Sequence, residues 1–85
     1  MLYKLLLHKS VEKFLRSHPE VARRFKQATQ LLRQDPYNQN LDIKKLRGTN
    51  NRFRLRIGKY RFLFTLYEEE ILVYFYRASS RGDVY

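Results

Sequence analysis

Between Arg52 and Arg61, arginines and large apolar residues alternate as Arg52-Phe53-Arg54-Leu55-Arg56-Ile57-Gly58-Lys59-Tyr60-Arg61. A period of two marks a strand with one buried and one wet face. Gly58-Lys59 reads as a two-residue hairpin turn. This register sets Ile57 opposite Tyr60, Leu55 opposite Phe62 and Phe53 opposite Phe64, all on one face. The other face then carries Arg56 opposite Arg61, with Arg54 and Arg52 further along. Four guanidiniums on one side of one hairpin repel each other, and like charges directly opposite are destabilising. The pattern calls for an anionic partner, phosphate above all.

The rest of the chain supplies what this hairpin packs against. Met1 to Leu7 reads as a strand, and its near-continuous leucines predict a central strand covered on both sides. Ser10 is placed to cap a short helix whose apolar stripe is Val11, Phe14 and Leu15. Ser17 and Glu20 have capping-box spacing, and Pro19 suits the first turn of a second helix. Val21, Phe25, Ala28 and Leu32 recur there at helical spacing, with Arg23, Arg24, Lys26 and Arg33 on the wet side. Asp35-Pro36 ends that helix. Beyond the hairpin, Glu68-Glu69 is the candidate second turn. It sets Tyr67 opposite Glu70, Phe62 opposite Phe75, Phe64 opposite Val73 and Leu66 opposite Ile71. The other face then shows Leu72, Tyr74 and Tyr76 beside the arginines. The order is strand, two helices, then a three-strand antiparallel meander. It predicts an α+β fold with both helices on one sheet face.

At 85 residues the chain is expected to form one domain spanning 1–85. The longest apolar stretch, Phe62 to Tyr67, is strand-sized, far short of the ~20 residues of a membrane span. The first seven residues are too short for a signal peptide. No membrane partner and a cytoplasmic location are therefore expected. The absence of cysteine excludes disulfides, thiol chemistry and cysteine-ligated metal. Eighteen basic residues against eight acidic ones give a net charge of +10. Eight of the cations fall at 44, 45, 47, 52, 54, 56, 59 and 61, so the charge is focused. That footprint points to a polyanion, mainly nucleic acid, or to an acidic protein.

The candidate site is the basic face: Arg54, Arg56 and Arg61, with Lys45, Arg47, Arg52, Arg77 and Arg81 nearby. Arginine's planar fork suits bidentate phosphate contacts. Tyr74 and Tyr76 either stack bases of single-stranded RNA or pack their rings on arginine stems. Tyr85 is a poor base at its reference pKa of about 10, but adjacent guanidiniums would favour its phenolate. His8 and His18 lie near the first helix and read as structural. There is no HExxH, P-loop or paired-aspartate cluster. No cofactor or metal is expected, and any hydrolysis would run on arginine and tyrosine.

Lys45-Leu46-Arg47-Gly48, Phe53-Arg54-Leu55-Arg56, Gly58-Lys59-Tyr60-Arg61-Phe62-Leu63-Phe64 and Arg81-Gly82-Asp83-Val84-Tyr85, in that order after a strand and two helices, resemble toxins of the RelE/ParE superfamily over nearly the whole length. The resemblance implies a toxin of a type II toxin–antitoxin module. RelE-like members are ribosome-dependent endoribonucleases that cut mRNA in the A site, whereas ParE-like members inhibit DNA gyrase. On the RelE-like pattern, Arg54 and Arg56 match the basic pair of the first meander strand. Arg61 matches the arginine of the second, and Tyr85 the C-terminal tyrosine. The C-terminal arginine position falls on Arg81, Ser79 or Arg77. Val84 stands where YoeB-type relatives carry a histidine, so their acid–base pair does not carry over. The implied partners are the ribosome with its mRNA and a cognate acidic antitoxin, in a toxin–antitoxin hetero-oligomer. Alternatives are a ParE-like gyrase inhibitor and an inactive RNA-binding member.

Overall fold

The computed structural model describes residues 2–80. Its elements are β1 (Lys4–Leu7), α1 (Lys9–Arg16), α2 (Pro19–Gln34), β2 (Ile43–Lys45), β3 (Arg52–Ile57), β4 (Tyr60–Tyr67) and β5 (Leu72–Ser79). The five strands form one sheet in the order β1-β5-β4-β3-β2. The α+β class and the helix–meander order are as the sequence predicts. The three-residue β2 is an addition, antiparallel to β3 and too short for periodicity to reveal.

The core lies on one face of the sheet. Val11, Val21, Phe25 and Leu32 from the helices meet Leu55, Ile57, Phe62, Phe64, Leu66, Val73 and Phe75 from the strands, all buried. Phe25 bridges the layers, its ring 4.6 Å from Phe62 and 4.9 Å from Phe75. Pro19 opens α2 and Asp35 caps its end, as predicted. The caps themselves differ. His8, not Ser10, is the N-cap of α1, its Nδ1 accepting from the Ser10 backbone N–H. Ser17 ends α1, and its hydroxyl donates to the Lys13 carbonyl, so it caps nothing in α2. His18 bonds the Phe14 carbonyl through Nδ1 and stacks on the Phe14 ring at 4.2 Å. Both histidines are thus held by local structural contacts.

The β3–β4 register follows the sequence reading, with Phe53 opposite Phe64, Leu55 opposite Phe62, Arg56 opposite Arg61 and Ile57 opposite Tyr60. Gly58 supplies the positive φ, +60°, that a tight hairpin turn requires. The second hairpin corrects the expectation. Phe64 faces Phe75, Leu66 faces Val73 and Tyr67 faces Leu72, two residues from the predicted register. A two-residue turn needs positive φ that Glu68-Glu69 cannot supply cheaply. The chain instead closes over four residues, with Ile71 at φ +53° and its N–H donating to the Glu68 carbonyl. The shift is even, so Val73 and Phe75 keep the predicted face.

β1 is a second correction. It is an edge strand, parallel to β5 and, among the described residues, paired with no other strand, and Leu6 is 53% exposed. Consecutive hairpins fill both sides of β4, so a further strand can join only an outer edge of the meander, and β1 takes that of β5. Arg33 fastens its start, with Nε donating to the Tyr3 carbonyl at 2.7 Å.

Two outcomes follow. Phe62→Ala, at a site with no exposure, should cost about 3–5 kcal/mol in urea unfolding. Tyr37 donates its hydroxyl to Glu68, and that bond, with burial and the Glu68 charge, pushes its phenol up to about 12. A raised folded-state value gives stability that is whole below the unfolded phenol's pKa of about 10 and is lost as pH rises through the folded one. The melting-temperature gap between wild type and Tyr37→Phe should be constant up to that lower value and close above it.

Candidate functional site

The period that buries Leu55 and Phe62 sends Arg54, Arg56 and Arg61 to the face away from the helices. Rows of residues cross this open face from strand to strand. Lys44, Arg54, Leu63 and Arg77 make one row, and Arg56, Arg61 and Ser79 make the next. The predicted arginine triad of the strands is therefore assembled on one surface. It is not equally wet. Arg54 is 9% exposed, and among the described residues neither its buried Nε nor the buried Nε of Arg61 has a hydrogen-bond partner. Arg56 is exposed.

The repulsion expected from the sequence is relieved by a residue that periodicity did not flag. Asp42, just before β2, accepts from Arg54 Nη2 through Oδ1 and from Arg56 Nε through Oδ2, each at 2.8 Å. The Arg56 backbone N–H donates to the Asp42 carbonyl at 2.9 Å, which continues the β2–β3 ladder by one residue. The available signal was its isolation, since Asp42 is the sole acidic residue between Asp35 and Glu68.

β5 carries a bulge. Leu63 pairs with Arg77 but Phe64 with Phe75, so Tyr76 is the extra residue. A bulge re-aims side chains. Here two consecutive residues, Tyr76 and Arg77, border the same open cavity of about 950 Å³. Its walls include Lys45, Arg47, Arg52 and Arg54, with Leu63 among its apolar surface. The Arg52 guanidinium carbon lies 5.4 Å from the Tyr76 ring centroid, a cation–π contact. Tyr74 shares the open face, opposite Thr65, but does not border the cavity. Of the candidate residues, the structure gathers Lys45, Arg47, Arg52, Arg54, Tyr76 and Arg77 around the cavity. It sets Arg56 and Arg61 in the adjoining row. Arg81 and Tyr85 lie outside the described residues.

Chemically this surface offers fixed guanidinium donors, two of them with buried unsatisfied nitrogens, beside an aromatic-walled cavity. Arginine stays protonated in proteins, so these groups stabilise negative charge and do not shuttle protons. Among the described residues no cluster of three or more histidines, aspartates or glutamates is placed to hold a metal ion. A polyanion that binds this face should stabilise the fold by mass action. Tripolyphosphate is expected to raise the melting temperature at low salt. In 1 M NaCl, where the screening length is about 3 Å, most of that gain should vanish. Indifference to tripolyphosphate at low salt would mark the face as merely solvated.

No family model matches the sequence. A putative toxin RelE1 of Methanocaldococcus jannaschii is 29% identical over 87 residues, covering 100% of this chain and 97% of the relative. Among solved structures, the archaeal RelE–RelB complex from Pyrococcus horikoshii contains a chain 30% identical to this one. Their TM-score is 0.83, with 99% of this chain and 100% of that chain covered. The RelB–RelE antitoxin–toxin complex from Methanococcus jannaschii matches at 26% identity and a TM-score of 0.70, over 87% of each chain.

Proposed function

Because the chain belongs to the RelE-like toxin family, we propose that it is the ribosome-dependent endoribonuclease of a type II toxin–antitoxin module, inhibiting translation by cutting mRNA in the A site. The observation that carries this reading is the convergence of Arg54, Arg56 and Arg61 on one open face beside the Arg52–Tyr76 cavity.

The reaction is attack of a ribose 2′ oxygen on the adjacent phosphorus. The 2′-oxygen–phosphorus bond forms, the bond from phosphorus to the 5′ oxygen of the next nucleotide breaks, and a 2′,3′-cyclic phosphate results. The Tyr85 phenolate, or a group near it, takes the 2′ proton, and water supplies the proton with which the 5′ oxygen leaves. Arg54 and Arg61 stabilise charge developing on the phosphate by preorganised hydrogen bonding. Arg56 and Arg81 position the leaving oxygen. Lys45, Arg47, Arg52 and Arg77 hold flanking phosphates, and Tyr76 offers a ring for base stacking. DNA is inert because it lacks the nucleophile. The ribosome holds the mRNA in an attack-ready geometry, an effect worth several kcal/mol, so free RNA is cut slowly.

The similar chains from Pyrococcus horikoshii and Methanococcus jannaschii were solved in complexes of RelE with RelB. By that likeness the partner is a cognate antitoxin. A domain of net charge +10 selects an acidic one on electrostatic grounds.

Primer extension on programmed ribosomes tests the assignment. Wild type should cut at the A-site codon, and Tyr85→Phe should weaken the cuts. Arg61→Ala should slow cleavage on the order of 100-fold while leaving thermal stability nearly unchanged. Normal cutting by an Arg61→Ala protein that melts early would refute its role. Absence of any cuts, with DNA gyrase inhibited in parallel, would move the chain to the ParE-like class.

A further inference from the structure

Asp42 stands beside the most cationic part of the chain, yet it is not spent on neutralising the cavity. Its two oxygens go to different arginines, Oδ1 to Arg54 and Oδ2 to Arg56. Arg54 borders the cavity, whereas neither Asp42 nor Arg56 does. The carboxylate therefore grips Arg54 from outside the space that a ligand would fill.

The two ion pairs differ in environment. The Arg54 side chain is only 11% exposed, while Arg56 and Asp42 are 47% and 44% exposed. A guanidinium so far removed from water needs a counter-charge. Among the described residues Asp42 is the one carboxylate in an ion pair with it. The bond uses one nitrogen, Nη2, and the buried Nε remains without a partner. On the other side, Asp42 holds Arg56 towards the β2 edge. Arg61 lies opposite Arg56 on the β4 side, so the same carboxylate separates two cations that would otherwise crowd each other.

We propose that Asp42 is a positioning residue. It locks the Arg54 guanidinium against the cavity so that its remaining N–H groups are preorganised for a phosphate, and it holds Arg56 clear of Arg61. This rests on the reading of the face as a phosphate-binding surface. Two effects of the carboxylate have opposite signs, which makes the role measurable. Its negative charge opposes anion binding through space, while its grip on Arg54 favours binding by preorganisation. If position dominates, removing the charge weakens phosphate binding even though the protein becomes more cationic.

Inorganic phosphate is titrated into isotope-labelled wild type, Asp42→Asn and Asp42→Glu, with the Arg54 Nε–H resonance as the readout. Wild type should show a saturable shift. Asp42→Asn should raise the dissociation constant about tenfold, the scale of one lost hydrogen bond. Asp42→Glu, which keeps the charge, should fall between the two. Equal or tighter binding by Asp42→Asn overturns the proposal, as does an Arg54 resonance that ignores phosphate in wild type. Should Asp42→Asn fail to fold, wild type decides alone: a clamped Arg54 shows separate Nη resonances from hindered rotation, and averaged ones overturn the proposal. On programmed ribosomes, Asp42→Asn should lower the rate at saturating toxin more than it changes the half-saturating concentration. If wild type cuts nothing, the endoribonuclease reading fails, while the phosphate titration still decides the role of Asp42.

Discussion

In the β3–β4 ladder, Leu55 lies opposite Phe62 and Phe53 opposite Phe64, and burial of these pairs on the helix face leaves Arg54, Arg56 and Arg61 no face but the open one. Side chains alternate strictly along a strand, so the core and the basic surface are two consequences of one register. A slip of one residue in β3 would turn Arg52, Arg54 and Arg56 towards the helices and expose Leu55 and Ile57. Each large apolar side chain gains about 1.5–3 kcal/mol on burial. Directly opposed like charges cost at most about 1 kcal/mol. The hydrophobic term therefore decides the register, and the arginines follow.

What remains is to make that charge tolerable. Asp42 does so locally, with one carboxylate serving two guanidiniums. The fully buried limit, in which losing a partner costs about 3–5 kcal/mol, overstates this pair because Asp42 is nearly half exposed. One carboxylate among so many cations leaves the surface strongly positive. The buried Nε atoms of Arg54 and Arg61 have no hydrogen-bond partner among the described residues, and an unmade bond at a buried donor costs energy. An open face of this kind favours anion binding without large rearrangement of the sheet.

The β5 bulge and the β4–β5 turn are the local irregularities that shape the cavity. Four residues close the turn and set the register between Leu66 and Val73. The extra residue at Tyr76 then resets the alternation, so that Arg77 comes opposite Leu63 and joins Tyr76 at the cavity wall. Without the bulge, Arg77 would fall on the helix face, where it has no counter-charge. The cation–π pair between Arg52 and Tyr76 spans from β3 to β5 across this feature, over the buried Leu63 and Thr65 of β4.

The first hairpin, both helices and the basic face are legible in the chain, because each rests on a short-range period or on a residue with restricted dihedrals. Gly58, Pro19 and Pro36 are such residues, and the alternation from Arg52 to Ile57 is such a period. Tertiary structure alone decided what depends on partners distant along the chain. The leucines of β1 read as a central strand, yet its place at the edge follows from β4 having both neighbours supplied by hairpins. β2 has too few residues to declare itself, and it exists because β3 offers a free edge. The second hairpin carried no glycine to specify its turn, so the pairing of Phe64 with Phe75 had to come from packing. Asp42 shows the same limit at the site. Its sequence neighbours say only that an acid stands among cations, whereas the ladder brings it within 2.8 Å of both Arg54 and Arg56.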